Sequence, residues 1–332
     1  MNRFEWSDAA TVEQALAQLG PTSVIKAGGV DVMDLLKEDL IAPSRLVNIR
    51  TARGLDRIAE APQAGLRIGP LVTLARLASE SVVSARYRAL AEAAGRAATP
   101  QIRAMATVGG NLLQRPRCWY FRAASYNCLK KGGDRCFARD GENTYHAIFG
   151  NDKCAIVHPS ATATALVALG AKVELTSPKG AREALLEGFF VTPEANVLRE
   201  NALGEDELIT EIRVPAQGEG SSSAYIKQGE KESFDWPVAE VAVVLDRSGG
   251  RVTRASVVLG AAAPVPYRAR AAEAELVGKA IDEDRAKAAA KAALAGATPL
   301  SQNKYKLPIF EAIVRRAILA AAAGGGGGGK GL

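Results

Sequence analysis

All four cysteines of this 332-residue chain fall between Ala106 and Ala161, although composition does not force them to cluster. Nine, seven and seventeen residues separate them in turn, and they are Cys118, Cys128, Cys136 and Cys154. These intervals match neither a ferredoxin run nor a zinc ribbon. We interpret residues 106–161 as a cofactor segment. The residues alone leave three alternatives open: ligands of an iron–sulfur cluster, ligands of structural zinc, or buried thiols without a ligand.

The surroundings of the cysteines are compatible with the cluster alternative. Residues 130–133 and Arg135 combine glycine with positive charge, and the aromatic residues 119–121 can exclude water from a metal centre. The chain contains two histidines. We interpret His146 as a loop residue rather than a ligand, and His158 as a residue that orients the adjacent loop.

Charge and hydropathy exclude several classes of protein. The 42 basic and 36 acidic residues are dispersed, without a basic run dense enough to follow a nucleic acid backbone. No apolar run approaches the length of a membrane span, and the charged start of the sequence lacks the apolar core of a secretory signal. We therefore expect that the protein binds neither nucleic acid nor a membrane and that it is located in the cytoplasm. The periplasm is the alternative location if a partner's signal exports the complex. In a reducing compartment, a disulfide framework is disfavoured.

Two glycine pairs stand at helix starts. Residues 24–27 read as a short strand, Gly28-Gly29 as a turn, and the apolar positions after it as a helix. A helix start offers unpaired N–H groups, and glycine lets a phosphate approach closely, although a simple tight turn has the same pattern. The spacing is neither a Rossmann nor a P-loop motif. With Gly109-Gly110, the two turns can enclose one long cofactor from two sides.

The order of short strands and helices predicts an α+β fold with two domains. We place domain 1 at 1–218, including a cysteine loop at about 115–157, and domain 2 at 219–322. In domain 2, residues 239–246 and 251–260 read as adjacent strands, followed by helices in 271–279, 282–295 and 308–322. Residues 323–332 are glycine-rich and predict a flexible tail.

Four motifs, in order, carry a resemblance to a known family: AGGVD from Ala27, ATVGGNL from Ala106, HPS from His158 and AYIKQG from Ala224. From about residue 3 to about residue 320, the chain resembles the FAD-binding subunit of the xanthine dehydrogenase family of molybdenum hydroxylases. With its cysteines it is similar to the [4Fe-4S]-containing type of bacterial aldehyde oxidoreductases and 4-hydroxybenzoyl-CoA reductases. The resemblance implies a two-subdomain, PCMH-type FAD-binding domain and a C-terminal α+β domain with a small antiparallel sheet and helices.

The resemblance also implies cofactor-binding residues. The first FAD loop falls on Ile25, Lys26, Ala27, Gly28, Gly29, Val30, Asp31 and Val32. The other implied contacts are Ala106, Thr107, Gly110, Asn111, Ser160, Ile209 and Lys227. Two positions depart from the family: Val30 replaces a usual threonine or serine, and Ala161 replaces an aspartate expected to bind hydroxyls. The four cysteines are implied to ligate the [4Fe-4S] cluster, and no residue is implied to be catalytic.

The implied function is electron transfer within a heterotrimeric aldehyde oxidoreductase. A large partner would hold molybdopterin, and a small partner with [2Fe-2S] clusters would pass electrons to FAD here and on to an external acceptor. One alternative is the corresponding subunit of a 4-hydroxybenzoyl-CoA reductase-like enzyme, and another is a zinc-site scaffold without flavin. A self-sufficient flavin oxidase ranks below these, because no histidine for covalent flavin attachment lies near the first loop.

Overall fold

The computed structural model describes residues 1–61, 63 and 65–324, and these residues form three sheets. From residue 325 on, the predicted glycine-rich tail lies outside the described residues. Among the helices that the structure describes, none has the length and apolarity needed to cross a membrane.

The first sheet is parallel and belongs to a small α/β unit. Its strands are ordered β1-β3-β2 and share one direction, so α2 connects the neighbours β2 and β3, whereas α1 connects β1 and β2 on opposite sides of β3. Thr11 caps α1 by accepting a hydrogen bond from the backbone N–H of Gln14 at 3.2 Å. The elements are β1 (Glu5–Asp8), α1 (Val12–Leu16), β2 (Ser23–Lys26), α2 (Val30–Lys37) and β3 (Arg45–Asn48).

The second sheet is antiparallel, with the order β4-β5-β8-β6-β7, and helices pack against it. All eight residues of α9 are buried; six are apolar, and the two threonines donate hydrogen bonds to the side chains of Asn111 and Glu240. The elements are β4 (Ile58–Ala61), β5 (Gly65–Ile68), α3 (Leu74–Ser79), α4 (Ser81–Arg86), α5 (Arg88–Arg96), α6 (Pro100–Met105), α7 (Val108–Leu113), α8 (Trp119–Arg122), α9 (Ala161–Ala168), β6 (Lys172–Ser177), β7 (Gly180–Leu185), α10 (Leu186–Phe189) and β8 (Leu208–Val214).

The third sheet is antiparallel in the order β12-β11-β10-β9, and both of its faces are covered. Alternate residues of a strand point to opposite faces. Ala242 and Val244 therefore pack toward α5 and α9, whereas Val241 and Val243 pack toward the last three helices. The elements are β9 (Ser221–Gln228), β10 (Ala239–Ser248), β11 (Arg251–Gly260), β12 (Tyr267–Arg268), α11 (Arg270–Leu276), α12 (Glu283–Ala292) and α13 (Lys306–Ala322).

The predicted α+β class is confirmed. The strands expected in 239–246 and 251–260 pair as β10 and β11, and the three helices expected after them are α11, α12 and α13. The parallel pairing of the first sheet was not predicted, because which strands pair is settled by packing between distant parts of the chain.

Phe310 tests the packing of α13. Its ring is fully buried within the core that α13 shares with the third sheet. We expect Phe310→Ala to lower the free energy of unfolding by about 3–5 kcal/mol, because truncation removes buried area and leaves a cavity. The neighbouring exposed Glu311 is the control, and Glu311→Ala should change stability by no more than about 0.5 kcal/mol. Urea titration measures both; equal effects would contradict this packing.

Candidate functional site

A cleft of about 590 Å³ lies where the three sheets approach one another. The first glycine turn and α2 form one wall, and the second glycine turn with the start of α7 forms another. Residues of β8, β9, β10 and the loop between β9 and β10 complete it. This volume is within the range of small-molecule and cofactor sites.

The first glycine turn brings bare backbone to the cleft. Gly29 has φ +83° and precedes α2, whose start has no side-chain cap. The N–H groups of the first turn of α2 are therefore available to a ligand, and the helix dipole favours an anion at this end of the helix. A Cβ at Gly28 would lie 2.1 Å from the Met105 carbonyl oxygen, so no larger residue fits between the two walls.

The second glycine turn begins α7. Thr107 caps this helix by accepting a hydrogen bond from Gly110 N at 3.2 Å. The N–H of Gly109 donates to the Pro70 carbonyl at 2.9 Å, and a Cβ at Gly109 would lie 2.8 Å from the Cβ of Pro70. Gly109 therefore packs closely on Pro70, and it lines the cleft together with Gly110 and Asn111.

Hydrogen bonds from Ser160 and Thr162 hold the Asn111 side chain in one orientation. Its Oδ1 accepts hydrogen bonds from Ser160 Oγ at 2.7 Å and Thr162 Oγ1 at 2.6 Å. With the amide oxygen engaged, the Nδ2 group is the donor that remains for a ligand. Ser160 N in turn donates to Nδ1 of His158 at 3.3 Å. Burial lowers the pKa of His158 to about 3, which keeps its ring neutral and able to accept.

A cation and a buried carboxyl lie on the side of the cleft formed by the third sheet. Lys227 on β9 and Glu240 on β10 are directly paired across the strands and both line the cleft. Lys227 Nζ donates to the Arg96 carbonyl at 3.1 Å. Burial lowers the pKa of Lys227, and the Glu240 charge opposes that effect. Ile209 supplies an apolar surface from β8.

Most residues that the sequence singled out reach the cleft, and two do not. Lys26 points away, and its Nζ donates to Asn48 Oδ1 at 3.3 Å beside the ring of Trp6. Ser160 acts only through Asn111. The residues that line the cleft are Ile25, Ala27, Gly28, Gly29, Val30, Asp31, Val32, Ala106, Thr107, Gly110, Asn111, Ile209 and Lys227.

Among the cleft residues that sequence reasoning missed are Arg117, Trp236 and Glu240. The Arg117 guanidinium lies 4.8 Å from the centre of the Trp236 ring. A carboxylate within the apolar run of β10 was a usable signal for Glu240, because acidic residues are rarely buried without a partner. Nothing local pointed to the other two.

The Asp31 carboxylate anchors the cysteine segment and is not free for a ligand. Its Oδ2 accepts from Arg115 N at 2.9 Å, and its Oδ1 accepts from Arg122 at 2.9 Å and lies 2.8 Å from Arg117. These three arginines flank Cys118. The cysteine segment therefore starts at the wall of the cleft.

The four thiols gather around one small cavity of about 10 Å³, lined also by Tyr120, Phe121 and His146. His146 Nε2 lies 3.2 Å from Cys118 Sγ, and burial lowers the pKa of His146 to about 4. Burial also raises the pKa of Cys118 to about 12. A hydrogen bond with Cys154 lowers the pKa of Cys136 to about 6 and raises that of Cys154. In the described part of the chain, no three His, Cys, Asp or Glu side chains are placed to hold a single metal ion.

Two family models together match nearly the whole chain. Residues 2–217 match the FAD binding domain in molybdopterin dehydrogenase, and residues 224–321 match the CO dehydrogenase flavoprotein C-terminal domain. The chain belongs to the FAD-binding subunits of the xanthine dehydrogenase and CO dehydrogenase family of molybdenum hydroxylases. This confirms the predicted family, and with it the prediction of an oxidoreductase subunit.

Individual relatives agree with this assignment. The chain is 34% identical to the aldehyde oxidoreductase FAD-binding subunit PaoB of Escherichia coli (strain K12), over 92% of this chain and 94% of PaoB. It is 30% identical to the carbon monoxide dehydrogenase medium chain of Hydrogenophaga pseudoflava, over 96% of each. A solved structure of the enzyme from that organism, lacking the Mo-pyranopterin moiety of its cofactor, superposes with a TM-score of 0.76 and 32% identity. It covers 97% of this chain and 98% of the matched chain, which confirms the predicted order of an FAD-binding domain and a C-terminal domain.

Glu200 tests how the cysteine segment is held. The buried Lys130 ammonium lies 2.8 Å from Glu200 Oε1, and Glu200 also binds Arg115. We expect Glu200→Gln to lower the free energy of unfolding by about 3 kcal/mol, because it leaves a buried cation without its counter-charge. Cys128, which lies close to Lys130 on the small cavity, should then react faster with a thiol reagent. The exposed Glu194 is the matched control. An unchanged stability and thiol reactivity in Glu200→Gln would contradict this role.

Proposed function

We propose that this chain is the FAD and [4Fe-4S] electron-transfer subunit of a heterotrimeric molybdenum-containing aldehyde oxidoreductase. The observation that supports it most is the meeting of two glycine turns on one cleft, in a chain of this family. The subunit receives electrons from a small partner with [2Fe-2S] clusters, while a large partner holds molybdopterin and the substrate. It passes the electrons to an external acceptor. The similarity to PaoB over most of both chains favours an aldehyde as substrate.

The residues of the cleft fit FAD. The N–H groups at residues 28–32 would bind its pyrophosphate, since no side chain caps α2 and no Cβ obstructs Gly28. At the start of α7 the N–H groups of Gly109 and Gly110 already donate to the Pro70 carbonyl and to Thr107 Oγ1, so this turn would contribute its bare backbone surface. Asn111 would donate from Nδ2, Ile209 would pack on the flavin ring and Lys227 would place a positive charge beside it. Bound FAD supplies the ability to exchange one or two electrons. Val30 and Ala161 line the cleft without a polar group, so we expect backbone contacts to dominate binding.

The four cysteines would hold the [4Fe-4S] cluster, which supplies one-electron transfer. Their convergence on one cavity, with aromatic side chains around it, supports this ligand set. The free volume of about 10 Å³ is smaller than a cluster, so binding requires the thiols to move apart. Mononuclear zinc on the same thiols would need a similar movement, because in the part of the chain that is described no three such side chains are placed to hold one ion.

We also propose the boundaries and location of the subunit. An FAD-binding domain at 1–218, with an iron–sulfur loop at about 115–157, would be followed by a C-terminal domain at 219–322. The matched ranges of 2–217 and 224–321 support this division. We propose a cytoplasmic location, with the periplasm as the alternative if a partner's signal exports the folded complex.

A 4-hydroxybenzoyl-CoA reductase-like complex is the second candidate, because the same sequence resemblance implies the same cofactors. An activity assay of the assembled complex distinguishes the two candidate functions. Aldehyde-dependent reduction of an artificial acceptor is the expected result, and turnover restricted to an aroyl-CoA would overturn the choice of substrate.

Cofactor content is the direct test of the proposed ligands. Anaerobically purified chain, co-expressed with its partners, should contain FAD and about four irons per chain. Cys154→Ser should lose iron and keep FAD, because the cleft does not use this residue. FAD without iron in the unmodified protein would contradict the cluster, and zinc without FAD would contradict the whole proposal.

Gly28 tests the backbone contact between the two turns. Gly28→Ala should weaken FAD binding about tenfold or more, because its Cβ forces the turn and the Met105 carbonyl apart. Gly20→Ala is the matched control, since nothing lies within 4 Å of a Cβ there. Equilibrium dialysis of apoprotein with FAD measures both variants. Equal affinities for the two variants would show that the approach of the turns does not matter for binding.

A further inference from the structure

The third sheet places three polar side chains on the face that it turns toward the cleft. Lys227 on β9 is directly opposite Glu240 on β10, and Gly260 on β11 is opposite Glu240 on its other side. Tyr225 lies two residues before Lys227 on β9 and therefore points to the same face. The pairing of the strands thus fixes a carboxylate beside a lysine and a tyrosine.

The carboxyl group of Glu240 is buried, and both of its oxygens accept hydrogen bonds. The residue is 1% exposed, its Oε2 accepts a hydrogen bond from the Tyr225 hydroxyl, and its Oε1 accepts one from Thr164 Oγ1 at 3.0 Å. A Cβ at Gly260 would lie 2.0 Å from Glu240 Oε1, so a glycine opposite the carboxylate is what makes room for it.

A buried carboxylate is costly unless a cation or strong donors compensate it. Two lysines influence Glu240 electrostatically, Lys227 and Lys306. Lys306 Nζ is already engaged with the backbone carbonyls of His146 and Ala261. Lys227, by contrast, lines the cleft together with Glu240. It is the lysine of the two that can link this carboxylate to a ligand in the cleft.

We propose that Glu240 is a positioning residue that acts through Lys227: its carboxylate, fixed directly across the strands from the lysine, keeps the ammonium charged beside the bound flavin and balances that charge. This inference rests on the proposed binding of FAD in the cleft. If Glu240 has this role, a carboxylate on the third sheet controls the charge that Lys227 presents to the flavin.

The electrostatics of Lys227 have the required sign. Burial lowers its pKa, and the Glu240 and Asp235 carboxylates raise it, whereas Arg103 and Arg96 lower it. Removing the Glu240 charge therefore lets the ammonium lose its proton at lower pH. Burial itself raises the pKa of Glu240, while hydrogen bonds from Tyr225 and Thr164 and the charges of Lys227 and Lys306 favour the ionised form.

Potentiometric titration of the full-length chain with bound FAD tests the proposal. The flavin midpoint potential, followed against pH, should change slope where Lys227 loses its proton. Glu240→Gln should move this point to lower pH by about one unit or more, because it removes a nearby opposite charge. Lys227→Met should abolish it, and the double variant should behave as Lys227→Met alone, since Glu240 acts through the lysine.

Two further variants serve as a control and as a substitute for Glu240→Gln. Glu273→Gln removes another largely buried carboxylate, one that does not line the cleft, and should leave the change of slope where it is. If Glu240→Gln fails to fold, Tyr225→Phe removes one hydrogen bond from Glu240 and should cause a smaller shift in the same direction.

Failure of the role of Glu240 can be distinguished from failure of FAD binding. A change of slope at the same pH in Glu240→Gln, or in Tyr225→Phe where only that variant folds, would overturn the role of Glu240. So would a double variant that differs from Lys227→Met. If the unmodified chain binds no FAD, the proposed function and this inference both fail.

Discussion

The closest approach between the two glycine turns determines the shape of the cleft. Gly28 lies against the Met105 carbonyl, and no side chain can stand between them. The second turn cannot move back easily, because backbone hydrogen bonds join Leu74 N to the Ala106 carbonyl and Val108 N to the Val72 carbonyl. Each turn belongs to a different sheet unit, so the cleft forms only when both units have folded and docked. The two glycine turns present backbone to the cleft, and the apolar side chains at Val30 and Ala161 do not remove that backbone.

Charge then ties the cysteine segment to this cleft. Asp31, at the start of α2, engages three arginines that flank Cys118, and Glu200 neutralises the buried Lys130 in the same segment. Partly buried carboxylate–guanidinium pairs are directional and stronger than exposed ones. Arg115 and Arg117 line the cleft and Cys118 lines the thiol cavity, so the two candidate cofactor sites adjoin along the chain. In the proposed subunit this proximity suits the passage of electrons between them.

Local patterns were predictable from the sequence, and long-range alignments were not. The strand, glycine turn and helix at residues 24–37 and the apolar strands β10 and β11 follow from periodicity within one segment. The order of the parallel sheet, and the pairing of Lys227 with Glu240, depend on strands that meet only in the folded chain. For the same reason, neither the orientation of Lys26 toward Asn48 nor the action of Ser160 through Asn111 could be read from neighbours in sequence. The four cysteines signalled a site by clustering, but their intervals could not specify what they bind.

In the proposed subunit both turns bind one ligand, FAD, in the cleft: the first through its uncapped N–H groups, and the second through its bare backbone and the Asn111 side chain. Hydrogen–deuterium exchange of the full-length chain with and without FAD tests it most directly, because it reports on individual backbone amides. FAD bound by both turns should slow exchange at residues 28–32 and at residues 107–111 together. Saturating FAD that protects only one of these segments, or protects amides elsewhere and neither turn, would contradict it.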